Sequence, residues 1–325
     1  MRKKYFLRQT FVYLLSIFPL SCGKIRKPVE EPTEEESSKI SAAGATATNH
    51  SFCTAIQPFY WEIGSATGPL GSGTTGDNSV TSTTTLAIAS ASKLIFASYA
   101  LEKRTATLSA DEVKLLNFTA GYSTSSNCLG YLTVNACYAG TTSFVAEHED
   151  KFYYSGGHML KFAAVDLDLG SLGAPRLATE LSDYLGSDIG VNFSIPQPAG
   201  GMRLSAEGYS IFLRKILSAN LRMLENLGSN SVCTNVSACP TNAVSTPIPS
   251  SESWSYSLGH WVENDSVHGD GSFSSPGLFG FYPWITSDKT VYGVLARYST
   301  STNAYWESVE CGRLFRKAYA TGQEQ

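Results

Sequence analysis

The sequence predicts a mixed α/β fold, with a sheet-containing part drawn from residues 51–104 and 250–320 and a mainly helical insertion at 105–249. Three observations carry that reading. Aromatic and β-branched residues cluster early, at Phe59-Tyr60-Trp61-Glu62-Ile63-Gly64. Comparable strand signals return late, at Trp254–Leu258, Leu278–Ile285 and Val291–Tyr298. Between the two ends the chain turns helical and loop-rich, with serines placed to start helices.

In chain order, Phe59–Gly64 precedes a Gly/Pro/Ser/Thr turn and reads as the first strand of a hairpin. A threonine-rich stretch, Val80–Thr85, leads to Ser90 and an apolar helical run, Leu94–Leu101. Ser109-Ala110-Asp111-Glu112 has the form of a capped helix start. Residues 121–143 read as a Gly/Ser/Cys-rich loop region. Ser205 caps a helix with Tyr209, Phe212, Leu213, Ile216 and Leu217 on one side. Residues 228–253 show no periodicity and read as loop. The last element is a helix with Tyr305, Val309, Gly312, Phe315 and Tyr319 at helical spacing.

The N-terminus predicts export. Arg2, Lys3, Lys4 and Arg8 precede a short apolar stretch, Phe11–Phe18, so residues 1–21 read as a signal peptide. Ser21-Cys22 resembles a lipoprotein cleavage site, although Pro19 occupies the usual leucine position, and a plain secretory signal is the alternative. Lipidation at Cys22 would anchor the chain to the bacterial cell envelope, in the periplasm or at the outer membrane. After Lys24-Ile25-Arg26-Lys27-Pro28 the chain is acidic and rich in Ser, Ala and Thr as far as His50, and residues 22–50 read as a disordered tether. Six further cysteines allow 15 pairings. Spacing favours Cys128–Cys137 and Cys233–Cys239 across short loops, which leaves Cys53–Cys311. No Cys-x-x-Cys or His-x-x-x-His spacing supports a metal site, and no cofactor is expected. A net charge of -4 without a basic patch argues against nucleic acid.

Ser90-Ala91-Ser92-Lys93 carries the chemistry. Residues three apart share a helix face, so the Ser90 hydroxyl and the Lys93 amine can meet. An unprotonated lysine beside a serine can remove its proton, but only if burial or a cation lowers its ordinary value of about 10.4. About two Ser-x-x-Lys pairs are expected by chance in this composition. Two occur, the other being Ser21–Lys24 in the leader. Helix capping is the competing role for Ser90, an exposed surface position that for Lys93, and apolar packing that for Tyr154. Glu62 reads as a partner in an internal ion pair or hydrogen bond. His158 and His268 could line a cleft but are not assigned to catalysis.

Five stretches in order resemble the penicillin-recognising serine hydrolases: class C β-lactamases, D-Ala-D-Ala carboxypeptidases and related esterases. They are Ile88–Lys93, Leu115–Tyr122, Phe152–Gly157, Pro198–Gly201 with Leu204–Glu207, and Ser275–Ile285. The resemblance implies an antiparallel sheet flanked by N- and C-terminal helices. It implies Ser90 as nucleophile, Lys93 as base and Tyr154 as the catalytic tyrosine sharing the proton. The backbone N–H groups of Ser90 and Leu278 would form the oxyanion hole, with Ser275 and Gly277 on the substrate-binding strand. Two departures matter. Gly156 replaces the asparagine of the tyrosine loop, and Ser275 replaces the Lys or His that holds a substrate carboxylate. The expectation is therefore an exported, monomeric serine hydrolase acting on a small ester or peptide-like substrate, more an esterase than an efficient β-lactamase. The alternative is a catalytically weak or inactive, surface-anchored binding lipoprotein of the same fold.

Overall fold

Phe59–Ser65 (β1) reverses at Ala66-Thr67 and returns antiparallel as Gly68–Thr75 (β2). The structure, a computed structural model, describes residues 33–105 and 107–325. The signal peptide, Cys22 and the first part of the expected tether lie outside the described residues. Six more strands complete the sheet: Val232–Cys233 (β3), Ser255–Ser257 (β4), His260–Val262 (β5), Phe273–Ser274 (β6), Tyr282–Ile285 (β7) and Val291–Ala296 (β8). Their order is β2-β1-β8-β7-β6-β5-β4-β3, antiparallel throughout. The first strand therefore pairs with the last, as strand signals at both chain ends require.

Helices cover both faces. The C-terminal helix Ala304–Thr321 packs Phe315 against Trp61 of β1 and Trp284 of β7, with ring centroids 6.1 and 6.3 Å apart. The opposite face receives the helix Ala206–Leu217, whose Arg214 reaches Tyr292 Oη at 2.7 Å. Tyr292 Oη and Tyr60 Oη in turn donate to Glu62 at 2.6 and 2.8 Å, so Glu62 is the internal partner expected. Each fully buried aromatic of this kind contributes about 2–3 kcal/mol.

The tether reading is corrected over much of its length. Glu34–Asn49 is a helix capped by Thr33, and it packs on the C-terminal helix. It buries Ala42, Ala43, Thr46 and Ala47, and Gly44 lies so close to Trp61 that a Cβ would stand 3.2 Å from the ring. Small residues let that helix approach closely, and their polar composition hid it. Tyr319 Oη donates to Glu36 at 2.6 Å and strengthens the contact.

Other boundaries also shift. Residues 121–143 include a helix, Val134–Thr141, and 228–253 contribute β3 to the main sheet and a second short strand, Ala243–Ser245. Leu278–Ile285 is not one strand, because residues 277–280 form a turn with Gly280 at φ 96° before β7. Ser109 makes the capping box with Glu112, and Ser205 accepts from Gly208 N, as the sequence indicates. Three disulfides join Cys53–Cys311, Cys128–Cys137 and Cys233–Cys239, with Cα atoms 4.9, 5.3 and 6.5 Å apart. No helix among the described residues is long and apolar enough to cross a membrane.

Candidate active site

Ser90 lies on a 3-10 turn, Ala89–Ala91, that runs into the helix Ser92–Arg104, two residues later than the sequence suggests. Ala89 adopts φ 45°, a left-handed conformation that costs an L-residue about 1–2 kcal/mol. Its surroundings hold it there: Ser92 Oγ donates to the Ala89 carbonyl at 2.6 Å, and Ile88 N donates to Met202 O at 3.1 Å. Ser90 remains partly exposed while every residue from Ala91 to Leu101 is buried. A hydroxyl at the mouth of a helix, with apolar packing directly behind it, results.

Lys93 is the buried counterpart, only 5% exposed. Its Nζ is 2.9 Å from Ser90 Oγ and donates to the Ala199 carbonyl at 2.8 Å. Burial alone pulls its pKa down from the ordinary lysine value to about 7. The amine is therefore substantially neutral near pH 7, with the Ala199 carbonyl fixing one N–H and Ser90 in reach of the lone pair.

Tyr154 completes the cluster. Its ring centroid is 5.0 Å from Lys93 Nζ and stacks on Trp261 at 5.2 Å, with Tyr256 edge-on at 5.9 Å. Burial pushes the phenol up to about 12, against hydrogen bonding to Ser90 and Trp261 that pulls it back. At pH 7 only about one molecule in 10⁵ would carry the phenolate. The lysine is thus the better resting base, and the tyrosine is placed to relay a proton as a neutral phenol.

The third stretch reaches the same point. Ser275, just past β6, is buried and donates through Oγ to the Ser90 carbonyl at 3.1 Å. Gly277 lies so close to the nucleophile segment that a Cβ would be 2.2 Å from the Ile88 carbonyl oxygen. Only glycine permits that approach, and the Leu278 side chain that follows is half exposed. Ser90, Lys93, Tyr154 and Ser275 therefore meet, and Gly277 packs on the segment that leads into Ser90.

The histidines do not join it. His158 is fully buried, stacks on Phe118 at 5.2 Å and is held neutral by burial, its pKa lowered to about 4. His268 sits in the loop organised by Asp265. Among the described residues no group of His, Cys, Asp and Glu could hold a metal ion. Sequence reasoning missed the Ala199 carbonyl and Trp261. Ala199 lies in a quoted stretch, but a backbone acceptor has no side-chain signature.

The geometry makes a pH prediction. If neutral Lys93 is the base, kcat/KM for a neutral ester should rise with pH through about 7 and level off above it, as the amine loses its proton. A pH profile flat from 5 to 9 would contradict the assignment.

No protein-family model matches the sequence, and no curated protein sequence is significantly similar. Solved structures are similar in fold. EstCE1, a hydrolase with promiscuous acyltransferase activity, superposes with a TM-score of 0.62 at 12% identity, covering 88% of this chain and 98% of that one. A candidate β-lactamase from Bacteroides dorei gives 0.60 at 20% identity, covering 82% and 95%. Simvastatin synthase (LovD) from Aspergillus terreus gives 0.57 at 12% identity, covering 88% and 97%. At these identities the likeness concerns the fold: this chain has the β-lactamase-type fold of serine hydrolases and acyltransferases.

Proposed function

We propose that this protein is an exported serine hydrolase that works by acyl transfer, with esters as its preferred substrates. The observation that carries the reading is the 2.9 Å approach of Ser90 Oγ to a buried lysine amine whose pKa lies near 7. Lys93 takes the Ser90 proton as Oγ attacks the ester carbonyl. The tetrahedral oxyanion is held by the N–H groups of Ser90 and Leu278. The leaving alkoxide collects a proton relayed through Tyr154, and the acyl group stays on Ser90. Water, deprotonated by the same base, then releases the acid.

The preference for esters rests on charge. Ser275 presents a hydroxyl that is already committed to the Ser90 carbonyl, and offers no cation for a substrate carboxylate. Three disulfides favour an oxidising compartment, which fits export. Lipid anchoring through Cys22 belongs to the same proposal.

The test compares p-nitrophenyl acetate and butyrate with nitrocefin and a D-Ala-D-Ala peptide on the purified protein. Short esters should be turned over with kcat/KM at least about 100-fold above the carboxylate-bearing substrates, the scale of a lost charged partner. Nitrocefin hydrolysed as fast as the esters would return the protein to the β-lactamases.

A further inference from the structure

Leu132 and Leu129 are 84% and 75% exposed, and among the described large apolar residues only Val267 stands out as far. Both leucines sit at one tip. Cys128–Tyr131 forms a turn, closed by Tyr131 N donating to Cys128 O at 3.1 Å, with Leu129 at its apex and Gly130 at φ 85°. Apart from its chain neighbours, a Cβ on Gly130 would meet nothing within 4 Å, so the apex stands clear of the fold.

The tip is held outward by a braced lobe. Its neck is closed by Val145 N, which donates to Gly121 O at 2.8 Å, and by a bridge between Thr124 and Ser143. Inside it, Cys128–Cys137 ties the turn to the helix Val134–Thr141, and both cysteines are fully buried. That helix is fastened to the body where Val134 N donates to Leu172 O at 3.0 Å and Asn135 N to Gly170 O at 2.9 Å. From Gly121 to Ala146 the sequence holds no Asp, Glu, Lys, Arg or His. Tyr131, between the two leucines, is partly buried over Gly140. A phenol beside solvated leucines suits the boundary between water and hydrocarbon.

We propose that this tip docks on a lipid surface, inserting Leu129 and Leu132 among acyl chains. Ser125, Ser126 and Asn127, directly before the turn, line the cleft beside Tyr154, so a docked tip opens that cleft to molecules dissolved in lipid. The substrates are accordingly esters carried in a lipid phase. The uncharged lobe fits this occupant, since no ion has to leave water as it inserts. A bilayer is within reach: Thr33 follows Cys22 by 11 positions, a span of at most about 40 Å. That reach rests on the proposed lipidation, and the substrate class on acyl transfer at Ser90; docking itself needs neither.

A tryptophan placed at the tip reads insertion directly. The full chain carrying Leu132→Trp is mixed with phosphatidylcholine vesicles at millimolar lipid, with and without bromine on the acyl chains. The five native tryptophans are at most 8% exposed, and the parent protein supplies their background. The added tryptophan should emit further to the blue and lose at least about half of its emission to the brominated lipid. Val267→Trp, on the loop after β5 and about as exposed, should be left unquenched. Leu129→Asp combined with Leu132→Asp should slow hydrolysis of vesicle-borne p-nitrophenyl laurate at least about tenfold, while p-nitrophenyl acetate in water changes less than about twofold. A tip tryptophan that emits as in water, or equal quenching at both positions, would overturn the docking. So would a blue shift without lipid that grows with protein concentration, which would assign the tip to a second copy of the chain. Equal losses on the two esters would overturn the substrate class. Intact mass reports separately on Cys22 and fluorophosphonate labelling on Ser90. Tip quenching in an unacylated or unlabelled protein would sink the anchor or the acyl-transfer reading and leave the docking standing.

Discussion

Lys93→Met should abolish nearly all esterase activity and leave the protein more stable. The two effects share one cause. A buried amine 2.9 Å from Ser90 Oγ, with a pKa near 7, is a competent base because the protein withholds solvent from it. Removing a general base costs about 10² to 10⁴ in rate. Withholding solvent also costs stability. The folded-state pKa lies below the unfolded value, so the unfolded chain binds more protons between about pH 7 and pH 10.4. Stability therefore rises with pH across that window, and the full penalty is felt below it. A shift of that size corresponds to about 5 kcal/mol, part of which the bond to the Ala199 carbonyl offsets. Methionine has similar length and no charge to bury, so a net gain of about 2 kcal/mol is expected at pH 6. Urea denaturation and p-nitrophenyl acetate kinetics on the same preparations measure both. A variant that keeps more than a tenth of the activity, or one that is destabilised, contradicts this account of the lysine.

The second large effect concerns Cys53–Cys311. This bridge ties the turn after the N-terminal helix to the middle of the C-terminal helix, across a sequence separation of 258 residues. In the chain-entropy model, closing such a loop stabilises by about 5 kcal/mol. The two local bridges span separations of only 9 and 6 residues and should contribute about 2–3 kcal/mol each. Replacing Cys53 and Cys311 together with alanine should lower Tm by more than either local double replacement. Chemical denaturation of the three variants ranks them directly. If the Cys53/Cys311 variant is the least affected, the terminal helices are held by packing alone.

Much of this was legible in the sequence because it depends on local rules. β1, β8, the C-terminal helix, the capping box at Ser109 and the cap at Ser205 all follow from periodicity and capping residues. The helix Glu34–Asn49 was not legible. Its buried face is made of Ala42, Ala43, Thr46 and Ala47, and its stability comes from a partner more than 250 residues away. The strand expected from Leu278 was broken by a constraint of the site: Gly277 must press against Ile88, and the chain then needs a turn before it can resume as β7. In the site itself, Ser90, Lys93 and Tyr154 were identifiable as residue types in context. The Ala199 carbonyl and the Trp261 platform were not, because what matters in each is position in space.

The measurement closest to the central claim is covalent capture at Ser90. The purified protein is incubated with a fluorophosphonate, digested and mapped by mass spectrometry, beside Ser90→Ala and Lys93→Met. One adduct per chain is expected, on the peptide carrying Ser90, absent in Ser90→Ala and slowed by at least about 100-fold in Lys93→Met. An adduct on a different residue, or labelling of Ser90→Ala at the parental rate, would contradict it.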